Sequence, residues 1–437
     1  MLLIIVFISS DVFLTIEMSG ATIRFSYILF SILFILWIIY FIYLKDVRIP
    51  IDRSYLPLLL FCFISFISSL NSVFPLKSLI YSLWTVFSAL IIVFLVWFSR
   101  NNKLYDLDWL LRIYFYSYIV ITVFGIYQIL LPFLIGDKTP FVDQWWVKYT
   151  LARINGLSFE PSFFATYMLM GCFIWFILWI RNSDFVKFRG IILASIGVVL
   201  FLSSSRLGWI GIALIIAYGL IEFFGYFFIH KKFTKQNIKF FIYFTAGLLF
   251  AAAAIIYIIN NPERFEFLFF GTGLFDSPDS SYSMRFARTI QTFKVFIDRP
   301  VNILFGVGPG GVGAYLINDP EKFQVIATSF EGLWATEPNT VIAELLASVG
   351  IIGFAFFSWF IINVFKRLWN LYRDFELINK YRMICLALFW GLVIELLILQ
   401  FNQNYLRPYL WLHIGICIAT VNTLEHFLKN KAKKLSN

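Results

Sequence analysis

The chain has 437 residues, 60% of them hydrophobic and only 14% charged, with a mean hydropathy of +0.83. Soluble domains carry about a quarter charged residues, so a soluble enzyme is excluded; the long Ile/Leu/Phe runs equally exclude a membrane β-barrel, whose strands alternate in polarity. The net charge of +10 lies in short loops between apolar runs, where it sets topology and gives no reason to expect a nucleic-acid partner. The reading is an all-α polytopic membrane protein.

Apolar runs long enough to form spans lie near Leu2–Ile16, Ser26–Leu44, Tyr55–Leu70, Ser78–Phe98 and Trp109–Ile135. The second half adds Ser162–Ile180, Gly190–Leu202, Leu207–Ile229, Phe240–Ile259, Thr340–Phe365, Met383–Leu399 and Tyr405–Leu428. That predicts about 12 transmembrane helices. The first run is interrupted by Ser9, Ser10 and Asp11, and without it the count is 11. It lacks a basic leader and a small-residue cleavage site, so it reads as a retained span. The four cysteines, Cys62, Cys172, Cys385 and Cys417, sit inside apolar runs at no metal-like spacing, which indicates neither disulfides nor zinc.

One alternating set of loops holds 22 of the 35 Lys and Arg residues, and by the positive-inside rule that set, with both termini, faces the cytoplasm. The expected organisation is spans one to nine over 1–259, a large outer (periplasmic) loop with short helices over 260–338, spans ten to twelve over 339–428, and a basic cytoplasmic tail over 429–437. Arg153, Arg206, the large loop and Arg407 then face outward. Nucleotide sugars and ATP do not reach that side. A reaction there needs a donor already activated and delivered through the membrane, such as a polyprenyl-diphosphate-linked sugar.

Four outer pieces are candidates for that chemistry: Arg153-Ile-Asn-Gly156 with Glu160-Pro161-Ser162, Ser203-Ser-Ser-Arg206-Leu-Gly208, the loop bearing Arg285 and Arg288, and Glu337-Pro338-Asn339. Glu160-Pro161 and Glu337-Pro338 each place a proline at or just before a helix start, where its missing donor costs nothing. Such helix ends offer free N–H groups to an anion, and arginines grip phosphate oxygens in pairs. Arg206 suits either an anion ligand or an interfacial snorkelling residue. Arg285 and Arg288, at i and i+3 of a helix expected over Ser283–Ile297, suit either ligands or a solvated face. Glu160 and Glu337 suit helix starts or general bases.

Other features are less pointed. Gly306-Val-Gly-Pro-Gly-Gly311 lacks the Lys-Ser/Thr of a phosphate-cradling loop and reads as a turn with unusual backbone angles. Asp276-Ser-Pro-Asp279 reads as a polar turn before a metal pair. Gln400, Asn402, Gln403, Asn404 and Arg407 form a final outer turn. His230, His413 and His426 all lie away from the outer face, leaving no histidine for base work there.

Taken together, Arg153 with Gly156 and Glu160-Pro-Ser, Ser205-Arg206-Leu-Gly208, Arg285 ahead of Phe305-Gly-Val-Gly308, and Asn339 followed by Gly350 and Gly353 resemble the O-antigen polymerase and O-antigen ligase superfamily. The resemblance implies a fold similar to the C-type membrane glycosyltransferases. It also implies an inverting, metal-independent, cofactor-free transfer in the bacterial inner membrane, with the active site on the periplasmic face and a glycan on undecaprenyl diphosphate as donor. Outer arginines would hold the diphosphate, a role that carries over to Arg206 and Arg285, with Arg153 and Arg288 as weaker matches. Asn339 and Arg407 would support the site, and Glu337 or Glu160 would act as base. A lipid-linked repeat unit is the expected acceptor, with membrane lipid and a polysaccharide chain-length regulator as further partners.

One departure bears on the acceptor. Ligases of the superfamily that deliver glycan to lipid A core typically carry a histidine just before the asparagine matched to Asn339, where this chain has Pro338. This favours a polymerase over a ligase. A transporter of lipid-linked sugars would need a polar path through the midplane, whereas Glu222, Glu344 and Glu395 are among the few acids in the later spans, and Glu222 lies near an inner end.

Overall fold

A computed structural model describes residues 5, 8, 16–18, 21–23, 25–44, 52–99, 104–142, 144–147, 151–230, 235–260, 281–323, 338–402 and 405–436. The apolar runs become helices: α1 (Phe25–Leu44), α2 (Tyr55–Ser69), α3 (Pro75–Phe98), α4 (Leu104–Leu130), α5 (Pro161–Ile180), α6 (Arg189–Leu202), α7 (Arg206–His230) and α8 (Lys235–Ile259). The large loop contributes α9 (Ser281–Ile297), α10 (Pro300–Phe305) and α11 (Val312–Asn318); α12 (Val341–Arg373), α13 (Asn379–Asn402) and α14 (Pro408–Ser436) follow. The fold is helical but not wholly so. Two short antiparallel pairs, Ile16–Met18 with Ala21–Ile23 and Trp145–Val147 with Leu151–Ala152, lie in expected outer connections.

Among the described residues, six helices are long and apolar enough to cross a membrane: α3, the stretch from Leu104 to Ile135, α5, the first part of α7, α12 and α13. Parts of α1, α2, α6 and α8 are shorter apolar helices. This supports a membrane-embedded protein. The last helix, α14, is not among the six, because His413, Thr420, Asn422 and Thr423 dilute its apolar run. His413, Thr420 and Thr423 are fully buried, so this helix meets protein more than solvent or lipid. Most of the first expected span, Leu2–Ile16, lies outside the described residues.

The chain divides into two compact units. Unit 1 holds Met1–Tyr114, Ser281–Ile378 and Glu395–Asn437; unit 2 holds Phe115–Ser280 and Asn379–Ile394.

In unit 1, α12 packs along α2, and α14 along α3. A serine seam joins α2 to α3: Ser65, Ser68 and Ser69 each donate to the carbonyl four residues back, while Ser82 donates to the Ser65 carbonyl at 2.9 Å and meets Ser69 at 2.8 Å. Small hydroxyl side chains let helices approach closely and still satisfy their polar atoms. Arg367 on α12 ties down the opposite end. It bonds both Asp52 oxygens at 2.8 and 3.1 Å, both Glu425 oxygens at 2.9 and 3.0 Å, and Asn422 at 2.6 Å.

The α12 helix is broken at Gly350, whose φ of 65° and ψ of −176° leave the helical region. Such a break frees carbonyls one turn earlier. They are taken by the glycine-rich turn: Val307 N–H donates to the Ala347 carbonyl at 2.8 Å and Gly308 N–H to that of Ser348 at 2.9 Å. Contact is so close that a Cβ on Gly350 would lie 2.2 Å from the Leu304 oxygen, and one on Gly306 would lie 2.3 Å from the Ser348 carbonyl. Gly306, Gly308 and Gly310 all have positive φ, as the sequence suggested. Gly306 lets the turn lie against the α12 backbone, while Gly308 and Gly310 pass close to the Ser78 and Tyr81 side chains.

The described part of the large loop is a folded subdomain. Val295, Val307, Val312, Tyr315, Leu316 and Phe323 form a small buried core with Ala347 of α12. Asp298 closes its edge, accepting from the Tyr315 hydroxyl at 2.7 Å and pairing with Lys322 at 2.6 Å.

In unit 2, α5 is almost wholly buried, with α6 and α7 packed on it. Two glycines allow this. A Cβ at Gly171 would enter the Tyr118 ring, and one at Gly211 would enter Leu169.

Candidate functional site

The polar end of unit 2 gathers the first two predicted pieces. The segment ahead of α5 is shaped by Gln128, fully buried on α4. Its amide donates to the Phe141 carbonyl, the Asn155 side chain and the Gly156 carbonyl, and its oxygen accepts the Gly156 N–H at 2.8 Å. Gly156 has φ +58°, and a Cβ there would strike the Phe164 ring at 2.5 Å. Glycine is required at this turn. The chain then enters α5 through Glu160 as N-cap, with Pro161 in the first turn. The Glu160 carboxylate makes no cap bond to the backbone; it accepts from the Ser162 hydroxyl at 2.9 Å.

The α6–α7 turn lies alongside. Ser203, Ser204 and Ser205 are buried, and Ser204 has φ 47°, unusual for a residue with a side chain. Arg153 spans the two segments: its Nη1 donates to Gln144 Oε1 at 2.8 Å and its Nη2 to the Ser204 carbonyl at 3.3 Å. Its Nε is buried with no hydrogen-bond partner among the described residues. Arg206 opens α7, and Gly208 lets that helix close on α6, since a Cβ there would already lie 3.3 Å from the Leu200 oxygen.

Arg153, Glu160 and Arg206 share one electrostatic environment. Burial lowers the proton affinity of Arg153 most, the Glu160 carboxylate raises it, and the Arg206 charge lowers it further. Two guanidinium groups and one carboxylate in the same environment make a candidate anion site.

In unit 1, α9 begins two residues earlier than expected and carries Arg285 and Arg288 one turn apart, both half-buried. Burial lowers the Arg288 proton affinity. The α9 helix is held by Val295 and Thr292, both fully buried, while Phe286 and Ile290 remain exposed. Glu337 lies outside the described residues, as do Asp276 and Asp279. Pro338 is described, and the N-cap of α12 is Thr340, so that proline precedes the helix instead of opening its first turn. Asn339 Nδ2 and Thr340 Oγ1 are buried and have no hydrogen-bond partner among the described residues. The Gln400 oxygen accepts the Ile342 N–H at 3.1 Å, capping α12. Arg407 is 6% exposed at the start of α14.

Sequence reasoning missed Lys77. It is 1% exposed in the first turn of α3, with its ammonium 5.6 Å from the Tyr81 ring centre. The Tyr81 ring backs the glycine-rich turn, where a Cβ on Gly310 would approach it to 2.8 Å. Asn71 at the same turn donates to the Gly306 carbonyl at 2.7 Å and to Asn302 at 3.1 Å. The available signal was a lysine in an expected outer connection, where the charge rule does not call for one.

Residues 190–358 match the O-Antigen ligase family model. The match supports membership in the O-antigen ligase/polymerase superfamily. It takes in Arg206, Arg285, Arg288, the glycine-rich turn, Asn339 and the Gly350 break, and leaves out Arg153, Glu160 and Arg407. No curated protein matches the chain.

Proposed function

We propose that the chain is an inner-membrane glycosyltransferase that lengthens a bacterial surface polysaccharide, moving the growing glycan from undecaprenyl diphosphate to a lipid-linked repeat unit on the periplasmic face. The observation that carries this reading is the pairing of Arg153 and Arg206, one with a buried unpartnered Nε, beside Glu160 at the start of α5. Such a cluster suits a diphosphate, whose oxygens both accept paired guanidinium bonds and neutralise the mutual repulsion.

In the proposed reaction a sugar hydroxyl of the acceptor attacks the anomeric carbon of the donor. The bond from that carbon to the diphosphate oxygen breaks, and the hydroxyl proton passes to a carboxylate, Glu337 or Glu160. Charge develops on the departing phosphate, and fixed cations act where charge forms. The shared environment of Arg153, Glu160 and Arg206 supports assigning both arginines to the diphosphate. Arg285 and Arg288 are assigned a phosphate role from the superfamily resemblance, and Asn339, Arg407 and the buried Lys77 supporting roles. The absence of a histidine at Pro338 favours chain lengthening. The matching family, O-Antigen ligase, favours a second reading, a ligase that would hand the glycan to lipid A core.

Equilibrium binding of undecaprenyl diphosphate to the purified full chain tests the assignment. Charge-assisted bonds are worth roughly 1.5–3 kcal/mol, so Arg206→Ala and Arg153→Ala should each weaken binding by about tenfold or more. Unchanged affinity in both would remove the diphosphate from this cluster.

A further inference from the structure

Unit 2 contains a cavity of about 1290 Å³ bounded by α5, α6, α7 and α8. Its walls are apolar, with Phe176 and Phe240 among them. Gly197 on α6 and Gly247 on α8 line it, and a Cβ on either would meet nothing within 4 Å. The slot therefore exists because side chains are missing from two facing helices. It runs the length of α6, from Arg189 and Gly190 to Phe201 and Leu202. Fourteen helical residues make a slot of about 20 Å, a little deeper than the hydrocarbon of one leaflet.

The two ends differ. Arg189 and Lys239 line the end at which α6 and α8 begin. Arg189 Nη2 donates to Asn182 at 2.9 Å, while its Nη1 is buried with no hydrogen-bond partner among the described residues. Trp179 lies beside them, its ring stacked with that of Tyr243 at 6.4 Å. Amphipathic aromatics with basic residues at one end of apolar helices mark a headgroup level. The far end carries no charged lining residue.

We propose that this slot holds one anionic phospholipid from the leaflet on the basic side, its phosphate against Arg189 and Lys239 and one acyl chain lying along Gly197 and Gly247. A basic pocket between helices on the side rich in Lys and Arg selects anionic headgroups. A zwitterionic lipid would fill the slot but leave the two cations unbalanced. A polyprenyl diphosphate would have to bring its headgroup to the end of α6 opposite the Arg206 turn.

Native mass spectrometry of the full chain from vesicles of mixed phosphatidylglycerol and phosphatidylcholine, with undecaprenyl phosphate added in a parallel arm, tests this. The unaltered chain should retain one phosphatidylglycerol. Arg189→Ala with Lys239→Ala should lower the preference for it about ten- to thirtyfold. Gly197→Leu, and separately Gly247→Leu, should expel the lipid while helical content and elution stay unchanged; Gly197→Ala should keep it. The proposal is overturned if both leucine variants retain the lipid, if the two phospholipids are held equally, or if undecaprenyl phosphate is what Gly197→Leu displaces.

Discussion

Replacing Gly350 by alanine tests whether the glycine-rich turn and the broken α12 helix form one structural unit. A side chain at φ 65° costs about 1–2 kcal/mol. The new Cβ would lie 2.2 Å from the Leu304 oxygen, and relieving such a clash costs about 1–3 kcal/mol more. Pushing the turn away also strains the bonds from Val307 to Ala347 and from Gly308 to Ser348, each worth about 0.5–1.5 kcal/mol. The total is about 3–8 kcal/mol. At roughly 2–4 °C per kcal/mol for a unit of this size, the apparent Tm should fall by about 6 °C or more. Gly306→Ala should behave alike, since its Cβ meets the same crossing from the other side. Gly225→Ala is the control: it lies in α7 with open space around it, and alanine there is neutral or stabilising by up to about 1 kcal/mol. Differential scanning fluorimetry of the three variants decides the matter. Equal melting of Gly350→Ala and Gly225→Ala would refute the crossing.

Other expectations follow from the same contacts. Arg367→Ala strands two partly buried carboxylates and should destabilise unit 1 by about 2–4 kcal/mol, read as a lower Tm; Asp52→Asn should recover part of that loss in the double variant. Asp298 should make the large-loop subdomain acid-sensitive. Burial raises its carboxyl, but Lys322, the Tyr315 hydroxyl and Arg299 outweigh that and hold it below the usual range. Its contribution is thus present above an unfolded value of about 4 and is lost as pH falls through the lower folded value. Proteolysis within 298–323 should rise below pH 4, and Asp298→Asn should remove that rise by being equally susceptible at neutral pH. Arg206→Lys should bind undecaprenyl diphosphate between the unaltered chain and Arg206→Ala, because lysine supplies the charge without the paired donors.

Helix positions were readable because hydrophobic runs report burial or lipid contact directly. The eleven runs from Ser26 onward each became a helix, with ends shifted by up to eight residues. The Glu160-Pro161 entry was readable for the same local reason, since proline in a first turn needs no partner elsewhere. At the companion Glu337-Pro338 the proline lies just before α12, as expected, but it is Gln400, 58 residues on from Ile342, that satisfies the helix's second N–H. Nothing near Pro338 in sequence announces that partner. The glycine-rich turn was recognised as strained, but its function as a seat for the Ala347 and Ser348 carbonyls needed the break at Gly350. Arg367 was counted only as a cytoplasmic charge, since its partner Asp52 is 315 residues away. Buried Lys77 was hidden by ordinary helix-start surroundings.

Purified chain in vesicles, given one synthetic undecaprenyl-diphosphate repeat unit and then separately lipid A core, most directly tests the central claim. A ladder of longer lipid-linked glycans with the repeat unit alone, abolished by Arg206→Ala, is the predicted result. Transfer seen only when lipid A core is added would make the chain a ligase. No transfer to either acceptor would contradict the glycosyltransferase account altogether.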